Sequence, residues 1–404
     1  MYVDKAVELG QTAICFTEHG NIFNHIEKKM YANSKGLKYM HGVEIYLTEQ
    51  LEPKVRDNYH TILIAKNYEG VKEINTLVDL STRADHFYYK PRITFDEFFN
   101  ISDNVIKISA CLASPLNNYD KDEKIIDRLL RTYDYYEIQP HINSEEQIAY
   151  NRKLYQLTKI YNKPLIAGTD THSLNQYKAE CRSILQKAKH IDYSNEDEFD
   201  LSYKSYEELV EMFEKQDSLP MDIVLNAIEN TNRMAESVED YELDLEFKYP
   251  ILYENEEDVF VKRIYRMYYE KLEKGIIKPN PQYEINIKEE LRVFKKIGMI
   301  GFMLFMSELV CWCKENNIPV GFCRGSVGGS TAAYLTDITD VDPIVWNTVF
   351  SRFANEDRKE IGDIDIDISP SQRQLVYDHI IEQFGEDYTA YVLAIGTIYQ
   401  IKEQ

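Results

Sequence analysis

Short apolar runs separated by stretches of helical periodicity constrain this chain more than any other feature. Residues 13–17, 43–47, 60–64, 105–109, 135–138 and 164–167 each read as a buried strand. Helix candidates lie between them. Ser144 as N-cap with Gln147 three residues on predicts a capping box, followed by Ile148, Leu154, Leu157 and Tyr161 on one side. Strands alternating with helices predict an α/β domain with a parallel sheet, closing toward a barrel. After about residue 175 the strand signals fade, acidic stretches appear at 195–200, 239–246 and 254–258, and helices dominate, as at 259–274, which stops at Gly275. Pro279-Asn280-Pro281 marks a boundary, and Ile287, Leu291, Phe294 and Ile297 then recur at helical spacing. The expected organisation is 1–174, 175–281 and 282–404, in keeping with roughly 100–200 residues per domain.

Composition narrows the class. At 44% hydrophobic and 28% charged the chain is globular, not wholly disordered. No run of about 18 apolar residues predicts a membrane-spanning helix, and the N-terminus MYVDKAVELGQ lacks the basic and apolar regions of a secretory signal. Six irregularly spaced cysteines fit a reducing compartment, so a cytoplasmic location and no membrane partner are expected. With 46 Lys+Arg against 68 Asp+Glu the net charge is -22, which does not attract nucleic acid in bulk. A nucleic-acid role therefore needs local basic clusters, metal ions or additional segments.

Ligand-type residues collect just past the predicted strands. Glu18 and His19 follow the first, Glu44 lies in the second, His60 opens the third, Cys111 follows the fourth, and Asp170 and His172 follow the last. Strand ends are where sites assemble in α/β barrels, because the loops converge there. Imidazole, carboxylate and thiolate together suit zinc, manganese or iron. His25, His41, His86, His141, His190 and His379 do not follow the pattern and read as structural.

The segments FTEHGN, GVEIYL, the His of NYHTILIAKN, ISACLAS and AGTDTHS resemble successive motifs of the PHP (polymerase and histidinol phosphatase) domain. The resemblance implies a distorted β/α barrel and a metal-binding cleft, with Zn²⁺ or Mn²⁺ as the expected ions. It carries ligand roles onto Glu18, His19, Glu44, His60, Cys111, Asp170 and His172, seven of the family's nine positions. The family opens with a His-x-His pair that this chain lacks, and Glu18 stands where the family has Asp. Metal occupancy and nuclease activity are accordingly expected to be weak, since even an outer-shell change costs about 10–100-fold in metal affinity.

A second constellation lies downstream. The Gly-rich run 321–330 precedes a helix pattern at 331–335, and such a junction offers N–H groups and a positive dipole end to an anion. Arg324 adds a fork that matches phosphate oxygens. In residues 361–368 alternation of period two places Asp363, Asp365 and Asp367 on one face of a predicted half-buried strand and Ile364, Ile366 and Ile368 on the other. Carboxylates so crowded are tolerable when solvated or when a divalent cation sits among them, and hard oxygen ligands suit Mg²⁺. Arg352 and Arg358 flank the approach to this strand.

These elements resemble the palm of the bacterial C-family replicative DNA polymerases, whose alpha subunit a PHP domain heads. The match runs through NIPVGFCRGSVGGSTAAYLTDITDVDPI, VFSRFANEDRKEIGDIDIDIS and FGEDYTAYVLAIGT. It implies that Arg324, Gly325 and Ser326, with Arg352 and Arg358, bind the incoming triphosphate, and that Asp363 and Asp365 are catalytic ligands for Mg²⁺. Asp367 takes a supporting place. Phe322-Cys323 stands where the family has Pro-Gly. The implied architecture is a PHP-type barrel, a mostly helical thumb and a truncated α+β nucleotidyltransferase-like palm. The implied reaction is template-directed DNA synthesis by two-metal nucleotidyl transfer. The implied partners are primer–template DNA, dNTP and, through C-terminal regions beyond residue 404, a sliding clamp and other replisome subunits. The family's third catalytic Asp and its fingers also lie downstream, so the 404 residues alone are expected to be inactive. Alternative readings are a PHP-type phosphoesterase or 3′-5′ exonuclease, and a non-catalytic scaffold.

Overall fold

The computed structural model describes residues 1–190, 199–245, 251–356 and 362–391. The chain divides into two compact units, Met1–Leu243 and Asp244–Gln404.

The first unit is mixed α/β. Its strands are β1 (Ala13–Phe16), β2 (Lys38–Thr48), β3 (Tyr59–Ala65), β4 (Arg92–Thr94), β5 (Val105–Ile108), β6 (Tyr136–Ile138) and β7 (Leu165–Ala167). The six strands expected from the sequence are present. β4 was not expected, because three residues behind Pro91 carry no periodicity. β2 is eleven residues long and buried from Tyr39 to Thr48, so it serves three neighbours. Its first part pairs parallel with β1, its second antiparallel with β3, and its end also parallel with β4. β3 pairs antiparallel with β5, and β6 pairs parallel with β7. A single parallel bridge, Ile108 to Tyr135, joins the two sheets.

The sheet is therefore mixed, not parallel as expected. The reason lies in the connection from β2 to β3, residues 49–58, which carries no helix. A parallel return needs a crossover of a dozen or more residues, so this shorter link leaves β3 antiparallel. The predicted box at Ser144 forms by half. The Ser144 hydroxyl accepts from the Gln147 amide, but the Gln147 side chain donates to Asn151 instead of reaching back.

The helices Tyr206–Gln216 and Met221–Ser237 belong to this unit, although the composition shift near 175 predicts a separate domain there. Phe213, Leu219, Val224, Ala227 and Ile228 join the core formed by Val43, Ile45, Leu63 and Leu165. Asn230 donates to the Leu165 carbonyl at 2.7 Å, and Lys38 Nζ caps the second helix at the carbonyls of Ala235 and Val238. A cation at a helix C-terminus offsets the dipole there. The division of contacts at 243/244 thus coincides with neither expected boundary.

The second unit is helical among the described residues. Glu256–Glu273 ends before Gly275, whose φ of +67° closes the turn. Asn280 caps Pro281–Lys296, and Ile300–Glu315 follows. Phe260, Ile264, Ile287, Phe294, Met303 and Leu304 pack with Val327, Ala332 and Leu335. Of the expected strand at 361–368, the described residues 362–368 do not form a strand. Residues 362–367 keep the predicted alternation, aspartates exposed and isoleucines half-buried, but the ladder is reduced to one bridge, Val320 to Ile368. No second strand borders the aspartates among the described residues, so period-two burial arises there without a sheet.

His86 gives the first unit a pH-dependent contribution. It is buried, with Nδ1 facing Asp85 and Nε2 facing Glu97, each at 2.9 Å. Burial alone would lower its pKa; the two carboxylates outweigh burial and raise it above the ordinary imidazole value. The stability so gained is complete below the unfolded value of about 6.5 and is lost as pH rises through the folded value. His86→Gln should therefore destabilise more near pH 6 than near pH 8 in urea unfolding, and equal losses at both would remove the ion-pair contribution.

Candidate functional site

In the first unit the chain delivers ligand-type side chains from five separate segments. Beyond β1 the backbone runs alongside β2, with the Glu44 amide donating to the Glu18 carbonyl and the Gly20 amide to the Glu44 carbonyl. This places His19 beside Glu44. Gly20 has φ +63°, and a Cβ on it would lie 2.5 Å from Pro91 Cγ, so only glycine fits. Ala110, just before Cys111, and Asp170 itself are left-handed, with φ of +62° and +46°. Non-glycine residues adopt that conformation rarely, and such strain clusters at sites.

Six of the seven expected residues converge. His19, Asp170 and His172 form one group, and Glu44, His60 and Cys111 another, each with ligand atoms within 4.8 Å of one another. His60 Nδ1 lies 3.1 Å and His19 Nε2 3.6 Å from the same oxygen, Glu44 Oε1, which joins the groups. Cys111 Sγ is 3.5 Å from His60 Nδ1, and the Nε2 atoms of His172 and His19 face each other at 3.3 Å. Glu18 does not join them. Its carboxylate binds Lys28 instead, because neighbours on an extended segment point to opposite sides.

The electrostatics favour a cation. Burial pushes the Glu44 carboxyl up, but His60, then His19 and His172, outweigh it and hold the group below its usual range. Burial pushes the Cys111 thiol well up, with Asp170 and Glu44 adding to it. The thiol is neutral without a metal, and a bound divalent ion would favour the thiolate. This donor set, three imidazoles, two carboxylates and a thiol, fits a transition-type ion.

Sequence reasoning missed Glu137. It lies in β6 and is buried, and burial pushes its carboxyl up to about 8, against the bond it accepts from Gln139 at 2.7 Å and with Asp170 and Glu44 raising it further. The available signal was a carboxylate inside the apolar run Tyr-Tyr-Glu-Ile. Several of the remaining histidines make structural contacts. His41 bonds Asn75, His141 bonds Gln139, and His379 stacks on Trp312 at 3.8 Å.

In the second unit the Gly-rich run forms a short 3-10 turn, Gly325–Gly329, leading into the helix Thr331–Leu335. Arg324 Nη1 donates to Asp367 Oδ1 at 2.7 Å, and its Nε lies 3.8 Å from Asp365 Oδ2. A Cβ on Gly325 would lie 3.5 Å from that same Asp365 oxygen. The loop and the acidic segment are thus neighbours, with Asp367 as the direct partner of Arg324. Ser326 is half-buried in the turn. Asp363 is exposed, and no third ligand atom joins it in a cluster among the described residues. Arg352 is exposed in the turn Phe350–Arg352, whose start packs on Gly329: a Cβ there would meet the Val349 carbonyl at 2.6 Å. Arg358 lies outside the described residues.

One expectation about this loop is corrected. The N–H groups opening the helix Thr331–Leu335 do not face an incoming anion. Thr331 N and Ala332 N donate to Glu290 at 2.8 and 2.9 Å, and Ala333 N donates to Ser330 Oγ at 3.0 Å. The Glu290 carboxyl takes the place of an anion there, although burial pushes it up to about 7 against the bonds from Ala332 N, Ser330 Oγ and Thr331 N. Glu290 was legible as a carboxylate in the apolar stripe of Tyr283, Ile287 and Phe294.

Two family models match this chain: the PHP domain over residues 1–141 and the bacterial DNA polymerase III alpha NTPase domain over residues 259–403. The class is thus a PHP domain joined to polymerase III alpha sequence. The chain is similar to bacterial DNA polymerase III alpha subunits over nearly its whole length. It is 30% identical over 427 residues to DNA polymerase III subunit alpha of Aquifex aeolicus, an alignment covering 98% of this chain and 37% of that one. The Borreliella burgdorferi protein of the same name is 30% identical, with 98% and 36% covered, and that of Campylobacter jejuni 27% identical, with 97% and 36% covered. The chain therefore spans a little over a third of the length of these relatives.

Close packing around Glu137 gives a direct test of the first site. A Cβ on Gly168 would lie 2.2 Å from Glu137 Oε1. Gly168→Ala should cost about 1–3 kcal/mol in urea unfolding by overpacking. Unchanged stability would show that the Glu137 carboxyl is not fixed there.

Proposed function

We propose that this chain carries the nucleotide-binding part of a replicative DNA polymerase, acting on a primer 3′ end and a dNTP. The observation that carries this reading is the approach of the Arg324–Ser326 loop to Asp365 and Asp367 within the region that matches polymerase III alpha. Arg324 would meet the phosphates with its guanidinium fork, and Arg352 and Arg358 would contribute further phosphate contacts. Asp363 and Asp365 would hold Mg²⁺, and the ions would bring the 3′-hydroxyl and the α-phosphate together and offset their charge. The proposed organisation remains a PHP domain, a thumb and a partial palm.

For the first unit we infer a metal-binding role. His19, Glu44, His60, Cys111, Asp170 and His172 would hold Zn²⁺ or Mn²⁺, and their convergence favours this second reading. Glu18 takes no part in it. Hydrolysis of phosphodiesters by this unit is expected to be weak or nil. A cytoplasmic setting and contacts with DNA and other replication proteins complete the proposal.

Mg–dATP should bind the purified chain, and Arg324→Ala should weaken binding by about 10–100-fold, as expected for a charged hydrogen bond worth about 1.5–3 kcal/mol. In an enzyme of the relatives' full length, Asp363→Ala or Asp365→Ala should abolish nucleotide addition while leaving the melting temperature unchanged. Primer extension by the 404-residue chain itself would contradict the expected need for further segments. Zn²⁺ titration should lose at least about tenfold in affinity in His60→Ala.

A further inference from the structure

We propose that Glu290 is a positioning residue for the nucleotide loop, acting as a buried acceptor that clamps the buried end of the loop and so helps to hold Arg324 at its exposed end. The inference rests on the nucleotide reading above and adds a residue to it.

The loop has an exposed half and a buried half. Phe322, Arg324 and Gly325 are exposed, whereas Val327 through Thr331 are buried. The exposed half is tied at the Phe322 carbonyl, which accepts from Asp340 N at 2.7 Å and Thr339 Oγ1 at 3.0 Å, and the buried half is tied by Glu290. Glu290 is 2% exposed, and both of its oxygens are used: Oε1 accepts from Thr331 N at 2.8 Å, and Oε2 from Ser330 Oγ at 2.7 Å and Ala332 N at 2.9 Å. Ser330 Oγ accepts in turn from Ala333 N, so the junction forms one closed network.

Two further side chains on the same helix hold the same region. Asn286, one turn before Glu290, donates to Thr331 Oγ1 at 2.8 Å. Tyr283, one turn earlier, donates to Asp342. The segment that Asp342 opens returns to the loop, where Thr348 Oγ1 donates to the Gly328 carbonyl at 2.8 Å. Residues 283, 286 and 290 lie on one helical face, so Pro281–Lys296 is the rigid bar from which the loop hangs.

The chemistry calls for a carboxylate. Hydroxyl and amide donors converge on it, and an ionised carboxylate is acceptor-only. An amide of the same size turns its NH₂ group toward one of those donors, leaving a buried N–H unpaired without opening a cavity. Glu290→Gln thus breaks the clamp while conserving volume.

The test measures Mg–dATP affinity and amide hydrogen exchange in the 404-residue chain, comparing wild type, Glu290→Gln, Ser330→Ala and Arg324→Ala. Glu290→Gln is expected to weaken binding about tenfold, matching one unpaired buried donor. It should also speed exchange over residues 325–335 while leaving Ile300–Glu315 unchanged. Ser330→Ala should act in the same direction by a smaller factor, and Glu290→Gln should add little to Arg324→Ala. If wild type binds through Arg324 and Glu290→Gln keeps wild-type affinity, the positioning role is overturned and the residue is merely structural. If wild type does not bind Mg–dATP, or Arg324→Ala binds as well as wild type, the nucleotide reading itself falls, and this inference with it. Should Glu290→Gln fail to fold, Ser330→Ala decides alone: unchanged affinity overturns the clamp and a loss supports it.

Discussion

A carboxylate taken out of water costs several kcal/mol unless donors or cations surround it. Each unit of this protein buries one among such partners; the imidazoles around Glu44 outweigh its burial, whereas the donors around Glu290 offset burial only in part. Glu44 sits in the middle of β2, the buried strand on which β1, β3 and β4 all depend, and its surroundings are imidazoles. Glu290 sits in the apolar face of its helix, and its surroundings are the hydroxyl and N–H groups of a loop junction. The difference is chemical. Imidazoles that face a carboxylate also face any metal placed between them, so the first arrangement can take a cation. Backbone donors are satisfied by the carboxylate itself, so the second arrangement is finished and can only hold a shape.

The same distinction separates what was legible in the sequence from what was not. Apolar runs reveal burial, and the six expected strands came from burial alone. They do not reveal direction, because a strand buried on both faces reads alike in either sense. The antiparallel β3 was decided by a connection whose shortness has to be weighed against the reach of a crossover. The composition shift near residue 175 reflects the exposed helix Gln176–Ala188, which buries no residue. The helices Tyr206–Gln216 and Met221–Ser237 after it return their apolar faces to the first core, which a change in surface chemistry does not reveal.

Site residues followed a similar rule. His19, Glu44, His60, Cys111, Asp170 and His172 lie past or within strands whose order could be read, and the fold then brings such positions together. Glu18 was adjacent to His19 in sequence, but side-chain alternation sends it to Lys28. Glu137 and Glu290 were missed for the opposite reason. Each interrupts an apolar pattern, and pattern reading treats an interruption as noise, although a buried carboxylate is the more informative observation. The period-two run of aspartates gave the right pattern of exposure and the wrong element, since exposure alternates along any extended segment.

The acidic balance of the chain bears on the proposed nucleotide site. Arg324 is exposed and its guanidinium is engaged by Asp367, with Asp365 close by. An exposed ion pair of this kind contributes only about 0–1 kcal/mol, because water screens it and side-chain freedom is lost in forming it. Its small worth is what makes it replaceable. A triphosphate offers the same fork several oxygens and a higher charge, so exchange of Asp367 for phosphate costs little and leaves the aspartates without their counter-charge. Cations would then be needed among them, since carboxylates so close repel one another. On the proposed reading, phosphate and divalent ions are thus coupled at this loop: each arrives where the other has removed a compensating charge. The -22 net charge of the chain does not oppose such binding, because the relevant charges sit within a few ångströms of Arg324, inside the screening length of about 8 Å that separates local from bulk electrostatics.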